Sequence, residues 1–150
     1  MAKDMTFKEF GKYLENTASG ITDELSKTIE LCCQKVRSDI QYGMAHTERD
    51  MSKTYHGNHH PSLPKNPPAP DTGNLRDSIN YEVNTQSKEV YGIVGSIQKD
   101  PNYAEWMEYG TSDGRVERRP WLRPTMIKNN DWIRKSVAQA VARSMSKGGN

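Results

Sequence analysis

The sequence predicts an α+β domain in which a long N-terminal helix and a C-terminal helix pack on a small antiparallel, hairpin-based sheet. Three observations carry that prediction. Apolar or small residues recur at helical steps from Phe7 to Ile40, apolar and polar residues alternate from Ile79 to Asn84, and helical spacing returns after Pro124. The core is thin: 33% of the 150 residues are apolar and the mean hydropathy is −0.92. Such a chain forms one domain with amphipathic helices and gains stability by burying surface against neighbours.

The N-terminal stripe runs Phe7, Phe10, Leu14, Ala18, Ile21, Leu25, Ile29, Cys32, Val36, Ile40. Its steps of three and four are those of one helix face. The weak helix formers from Asn16 to Gly20 interrupt it. The expectation is therefore a short helix within 1–17 and a long one within 20–46, with Ser19 or Thr22 as N-cap. Residues 47–72 change character, gathering His56, His59 and His60 with Pro61, Pro64, Pro67, Pro68 and Pro70. The proline run cannot feed a strand ladder and reads as an extended loop or arm reaching a neighbour. The three histidines invite a metal site. No cysteine or carboxylate–histidine motif accompanies them, so the reading is a polar loop with no metal and no cofactor.

Residues 73–123 hold the sheet and a short helix. Asp71 or Thr72 caps one helical turn, after which Ile79, Tyr81 and Val83 alternate with Asn80, Glu82 and Asn84 as a half-buried strand. Residues 85–88 form the turn and 90–97 the partner strand, where Gly92 and Gly95 suggest a bulge or close backbone approach. Lys99, Asp100 and Pro101 end it. Tyr103 to Tyr109 makes two helical turns with Tyr103, Trp106 and Tyr109 on one face, and Gly110 stands where a C-cap needs positive φ. Arg115 to Arg118 adds a third, edge strand. Pro120 and Pro124 bracket an extended Trp121-Leu122-Arg123, and Pro124 opens a helix over 124–147 carrying Ile127, Ile133, Val137, Val141 and Met145, with Trp132 flanking. Gly148, Gly149 and Asn150 fray.

Charge is unevenly spread. Residues 1–50 carry 7 basic and 9 acidic groups, 51–114 carry 5 and 8, and 115–150 carry 9 and 2, within a net +2. The basic end fits a solvated helix, a nucleic-acid contact or a face meeting an acidic patch on the next copy. Cys32 and Cys33 are adjacent, a poor disulfide geometry, which implies a reducing compartment. The N-terminus lacks a signal-peptide apolar region and no long apolar run occurs, so a soluble protein without membrane contact is expected. No nucleophile with its base, phosphate loop or metal cluster is legible, so the chain reads as a non-enzyme.

Residues 67–79, Pro-Pro-Ala-Pro-Asp-Thr-Gly-Asn-Leu-Arg-Asp-Ser-Ile, form the first of three blocks. Residues 103–111, Tyr-Ala-Glu-Trp-Met-Glu-Tyr-Gly-Thr, and 119–124, Arg-Pro-Trp-Leu-Arg-Pro, are the others. In order and spacing they resemble the signature blocks of the small tailed-bacteriophage head–tail joining, neck and tail-completion (minor tail) protein family. Trp121 stands where that family usually has phenylalanine, and the His/Pro loop is longer than its pattern. The resemblance implies a structural virion protein at the head–tail junction, assembled in the host cytoplasm. It would be a ring subunit, a hexamer or dodecamer, whose partners are itself and other neck, tail or portal-side proteins. DNA would meet it only as genome passing through the lumen.

A ring requires one patch to meet a different patch on the next copy. Glu105, Glu108 and Asp113 supply an acidic patch, while Arg118, Arg119, Arg123, Arg134 and Lys135 supply a basic one. Trp106, Tyr109 and Trp121 are residue types that anchor interfaces and also fill cores. Core is the expectation for Tyr103 and Leu122. The docking set is thus Trp106, Glu108, Tyr109, Arg118, Arg119, Trp121 and Arg123. Thr72, Gly73, Leu75, Ser78, Gly110, Thr111, Pro120 and Pro124 form the structural motif. The alternative is a nucleic-acid-binding protein using the basic C-terminal segment.

Overall fold

The computed structural model describes residues 6–55, 57–86, 89–97 and 103–147, with Phe7 described in backbone only. His56, Ser87, Lys88, Lys99, Asp100, Pro101, Gly148, Gly149 and Asn150, on which sequence expectations fell, lie outside the described residues. The elements run α1 (Phe7–Ala45), α2 (Asn74–Ser78), β1 (Ile79–Asn84), β2 (Tyr91–Ser96), α3 (Tyr103–Tyr109) and α4 (Arg123–Lys147). The fold is α+β: the long terminal helices pack on an antiparallel hairpin, β1 beside β2.

The expected break in the N-terminal helix is absent, and α1 is one helix of 39 residues. Of the residues that suggested a break, Thr17 donates its hydroxyl to the Tyr13 carbonyl, and just beyond them Thr22 and Ser26 do the same to the carbonyls four residues back. Gly20 costs only about 1 kcal/mol in a helix interior, which its neighbours absorb. The N-cap is neither Ser19 nor Thr22. Thr6 and Glu9 form a capping box, the Thr6 amide donating to Glu9 Oε2 at 2.8 Å and the Glu9 amide to Thr6 Oγ1 at 3.3 Å.

By contact the chain divides into two compact units. One comprises Met1–Cys32, Val83–Gly92 and Asp131–Asn150. Here Thr28, Cys32, Ala140 and Ser144 are buried, and Glu24 accepts Lys147 at 3.4 Å with Arg143 at 3.9 Å. The front of the apolar stripe stays outside: Phe10 and Leu14 are half exposed.

The other unit comprises Cys33–Glu82 and Ile93–Asn130, and it holds most of the core: Cys33, Val36, Ile40, Met44, Leu75, Ile79, Met107 and Trp121. Gln34 donates to the Tyr81 hydroxyl at 3.1 Å and Gln41 to the Arg76 carbonyl at 3.1 Å, tying α1 to the start of the hairpin. Ile79 is fully buried and Asn80 and Glu82 are exposed, as the alternation along β1 requires. Nothing lies within 4 Å of a Cβ built at Gly95, so no close backbone approach explains that glycine.

Three further expectations change. The stretch before the proline run folds back, since Asp50 and Leu63 donate to the Pro61 and Glu48 carbonyls, while 63–70 forms neither helix nor strand. Thr47 then holds the Pro67 carbonyl at 2.9 Å. Residues 115–118 form no third strand. The Thr111 amide donates to the Val116 carbonyl and Lys65 to the Arg118 carbonyl, which spends these groups on loop closure. On α4, Ile127 and Met145 face outward, and the buried line consists of Asn129, Ala140 and Ser144 with Ile133, Val137 and Val141 half-buried. Small and polar residues close that face, with Ser144 donating to the Ala140 carbonyl.

Candidate functional site

The three sequence blocks meet inside one unit. In the first, Gly73 has φ 86° at the N-cap of α2, and the Asn74 amide donates to Thr72 Oγ1 at 3.3 Å. Leu75 is buried, and the Ser78 hydroxyl bridges the Leu75 carbonyl and Ser96 Oγ, both at 2.7 Å. A recess of about 200 Å³ lies against Thr72, Gly73, Leu75 and Arg76, with Tyr103 of the second block on its wall. These residues set the backbone where α2 yields to β1. Of their side chains Leu75 is buried, while Thr72 is exposed.

The second and third blocks are joined by one carboxylate. Ala104, Met107 and Glu108 turn inward from α3 at helical spacing, and Glu108 is 6% exposed. Its Oε2 accepts the Trp121 and Leu122 amides at 2.7 and 2.9 Å, and its Oε1 accepts the Arg123 amide at 3.0 Å. A helix start leaves amides unsatisfied and carries partial positive charge, so an anion there is doubly favoured. The residue before α4 is Leu122, which has no side-chain acceptor to cap the helix, and Glu108 does that work from α3. Arg119 donates its amide to the Met107 carbonyl at 2.6 Å, and Trp121 Nε1 donates to the Ala104 carbonyl at 3.0 Å.

Two expected docking residues are thereby corrected. Trp121, 4% exposed, and Glu108 are buried within the chain, consumed by the junction of α3 with α4. The opposite face of α3 is outward. Trp106, Tyr109 and Tyr103 are all exposed, which also takes Tyr103 out of the core. Gly110 ends α3 with φ 78° and donates to the Trp106 carbonyl at 2.7 Å. A Cβ there would stand 3.0 Å from the Val116 carbonyl oxygen, so glycine is needed twice over. Thr111 closes the following loop, its hydroxyl accepting the Val116 amide at 2.9 Å.

The outward surface has two unlike patches sharing Tyr109. One shallow groove of about 490 Å³ is lined by Arg118, Pro120, Arg123, Pro124, Ile127 and Lys128 beside Tyr109. Tyr109 and Ile127 are 69% and 68% exposed. The groove's sole acid, Glu108, is already saturated by amides. The second patch carries Glu105, Trp106, Ser112 and Asp113. Hydrogen bonds from Thr111 and the Arg115 amide hold the Asp113 carboxyl below its ordinary range, and Arg115 lies 3.1 Å away. Arg119 faces elsewhere, donating to the Ser62 and Glu117 carbonyls at 3.4 and 3.1 Å.

Among the described residues no group of three histidines, cysteines or carboxylates could hold a metal ion. His60 Nδ1 lies 2.8 Å from the Lys53 carbonyl and His59 3.7 Å from Asp71. Cys32 and Cys33 are both buried, and burial pushes the Cys32 thiol up. Among the described residues, no helix is long and apolar enough to cross a membrane. No family model matches the chain, and neither the curated proteins nor the solved structures provide a match.

Proposed function

We propose that the chain is a non-enzymatic structural protein of a tailed-phage virion, a ring subunit at the head–tail junction. The observation that carries this reading is the rigid pair of unlike patches on either side of Tyr109. The Glu108 junction fixes the start of α4 against α3, so the acidic Glu105–Trp106–Asp113 patch and the basic Arg118–Arg123–Lys128 groove are presented in fixed geometry. Head-to-tail association needs such non-identical, complementary surfaces. Exposed Trp and Tyr between them supply the anchors. The blocks that carry the family resemblance belong to the same unit, and Glu105, Trp106, Tyr109 and Arg123 are common to them and to the patches.

The nucleic-acid reading draws less support. Arg143 and Lys147, two cations of the basic end, lie beside Glu24, which reduces the field they offer to phosphates. The test is a phage with a nonsense codon in this gene, its lysate viewed by electron microscopy. Filled heads and separate tails, joined on adding the purified protein, are expected. Tailed, infectious particles lacking the protein would refute the reading.

A further inference from the structure

The hairpin keeps the polar-out pattern on one strand and breaks it on the other. The Ile97 amide donates to the Ser78 carbonyl at 3.0 Å, which fixes the pairing of β1 with β2. Asn80 then stands opposite Gly95, Glu82 opposite Ile93 and Asn84 opposite Tyr91. The Asn84 amide group reaching the Tyr91 hydroxyl at 3.0 Å agrees with that register. These pairs point away from the face that holds buried Ile79. On that outward face β1 shows Asn80 and Glu82, both exposed and polar. β2 shows Tyr91, Ile93 and, just past its end, Ile97, which are 45%, 58% and 66% exposed.

β2 is also an edge strand, since among the described residues β1 is its one strand neighbour. Edge strands are ordinarily guarded against further pairing by charge, proline or a bulge. From Val90 to Ile97 the sequence holds no charged residue and no proline. By the alternation of an antiparallel ladder, Ile93, Gly95 and Ile97 turn their backbone groups toward β1, and Gly92 and Val94 turn theirs outward. A row of backbone groups so aligned is matched by another strand, and the apolar row beside it by apolar residues at the same alternation.

We infer that β2 pairs antiparallel with β2 of a second copy, about a two-fold axis at Val94, forming a four-stranded sheet. What the strand offers sets this register. With Val94 exchanging backbone hydrogen bonds with its counterpart, Ile93 of each copy lies across from Gly95 of the other, and Tyr91 across from Ile97. Ile93 has room there, because nothing lies within 4 Å of a Cβ built on Gly95. The charges flanking the strand in sequence are unlike, Glu89 before it and Lys99 after it, an order that favours copies running antiparallel over copies running parallel. The contact is isologous, separate from the head-to-tail patches, and does not rest on the virion reading.

Sedimentation equilibrium of the full chain carrying Arg118→Glu and Arg123→Glu, which reverses the basic groove, tests it. A salt-insensitive monomer–dimer equilibrium is expected, with the mass levelling at two copies. Ile93→Lys changes one exposed side chain, so it leaves the melting temperature of the dilute protein unchanged and abolishes the dimer. Disulfide formation under mild oxidation reads the register. Ile93→Cys mixed with Gly95→Cys should cross-link, whereas Ile93→Cys alone should not: opposed positions stand about 5 Å apart and diagonal ones about 7–8 Å, beyond disulfide reach. A monomer at all concentrations up to about 1 mM would overturn the inference, as would a mass that climbs past two copies. So would a dimer that survives Ile93→Lys, or Ile93→Cys cross-linking to itself as readily as to Gly95→Cys.

Discussion

Removing the Glu108 carboxylate should be among the most damaging single substitutions in this chain. Glu108→Ala strips acceptors from three amides at 2.7, 2.9 and 3.0 Å. The Trp121 amide is buried and bears the full penalty of an unsatisfied donor, about 2–3 kcal/mol. The Leu122 and Arg123 amides are part-buried and recover some bonding from water, so each loses about 1 kcal/mol. The sum is about 4–5 kcal/mol, or a fall of about 10–15 °C in melting temperature for a chain of this size. Glu108→Gln keeps one oxygen, which can occupy the position shared by Trp121 and Leu122, but turns an amino group toward the Arg123 amide. It should lose about half as much. Urea unfolding followed by circular dichroism and Trp fluorescence gives both numbers. A loss below about 1 kcal/mol for Glu108→Ala, or a glutamine variant as damaged as alanine, would refute the account of a carboxylate capping α4.

Gly110→Ala combines a left-handed φ of 78° with a 3.0 Å approach to a carbonyl oxygen; thermal unfolding should show a loss of about 2 kcal/mol or more. Asp39 provides a pH test. Burial pushes its carboxyl up, but hydrogen bonds from Lys35 and Asn129 outweigh that and hold it below the ordinary value. Its contribution is therefore present above the ordinary carboxylate pKa of about 4 and lost as pH falls through the depressed folded value. The stability gap between wild type and Asp39→Asn should narrow on acidification below about pH 4, and a constant gap would disprove the coupling. Arg118→Glu with Arg123→Glu changes only exposed side chains. Folding should shift by less than about 0.5 kcal/mol while light scattering shows weakened association, mimicked in the parent by salt. Unchanged mass would remove the basic groove from assembly.

Where local chemistry decides, the sequence was readable. Ile79, Tyr81 and Val83 alternate with polar residues, and β1 forms there. Gly110 follows an apolar–aromatic helical turn, and α3 ends on it with positive φ. The readings failed where a distant partner or a small residue decides. Aromatic size drew attention to Trp106 and Tyr109 on α3, whereas the inward face is Ala104, Met107 and Glu108. The start of α4 carried a signal in what it lacks, a local capping residue, and that gap is filled from 15 positions upstream at Arg123. The break expected at 16–20 is absent because weak helix formers cost a helix about 1 kcal/mol or less each without ending it, and Thr17 keeps its hydroxyl bonded to the Tyr13 carbonyl. Asn129, Ala140 and Ser144 hold the buried line of α4, and apolar periodicity is blind to such residues.

The clasp on α4 also makes a built-in reporter. Amides at a helix start usually exchange their hydrogens with solvent quickly, because no carbonyl of the helix protects them. Those of Trp121, Leu122 and Arg123 are protected by a side chain from another helix. Their exchange therefore registers the swing of one carboxylate, separately from fraying of α4. When a partner settles on the neighbouring surface and stills α3, the three should slow together, a signature that locates binding on the chain before any complex is visualised.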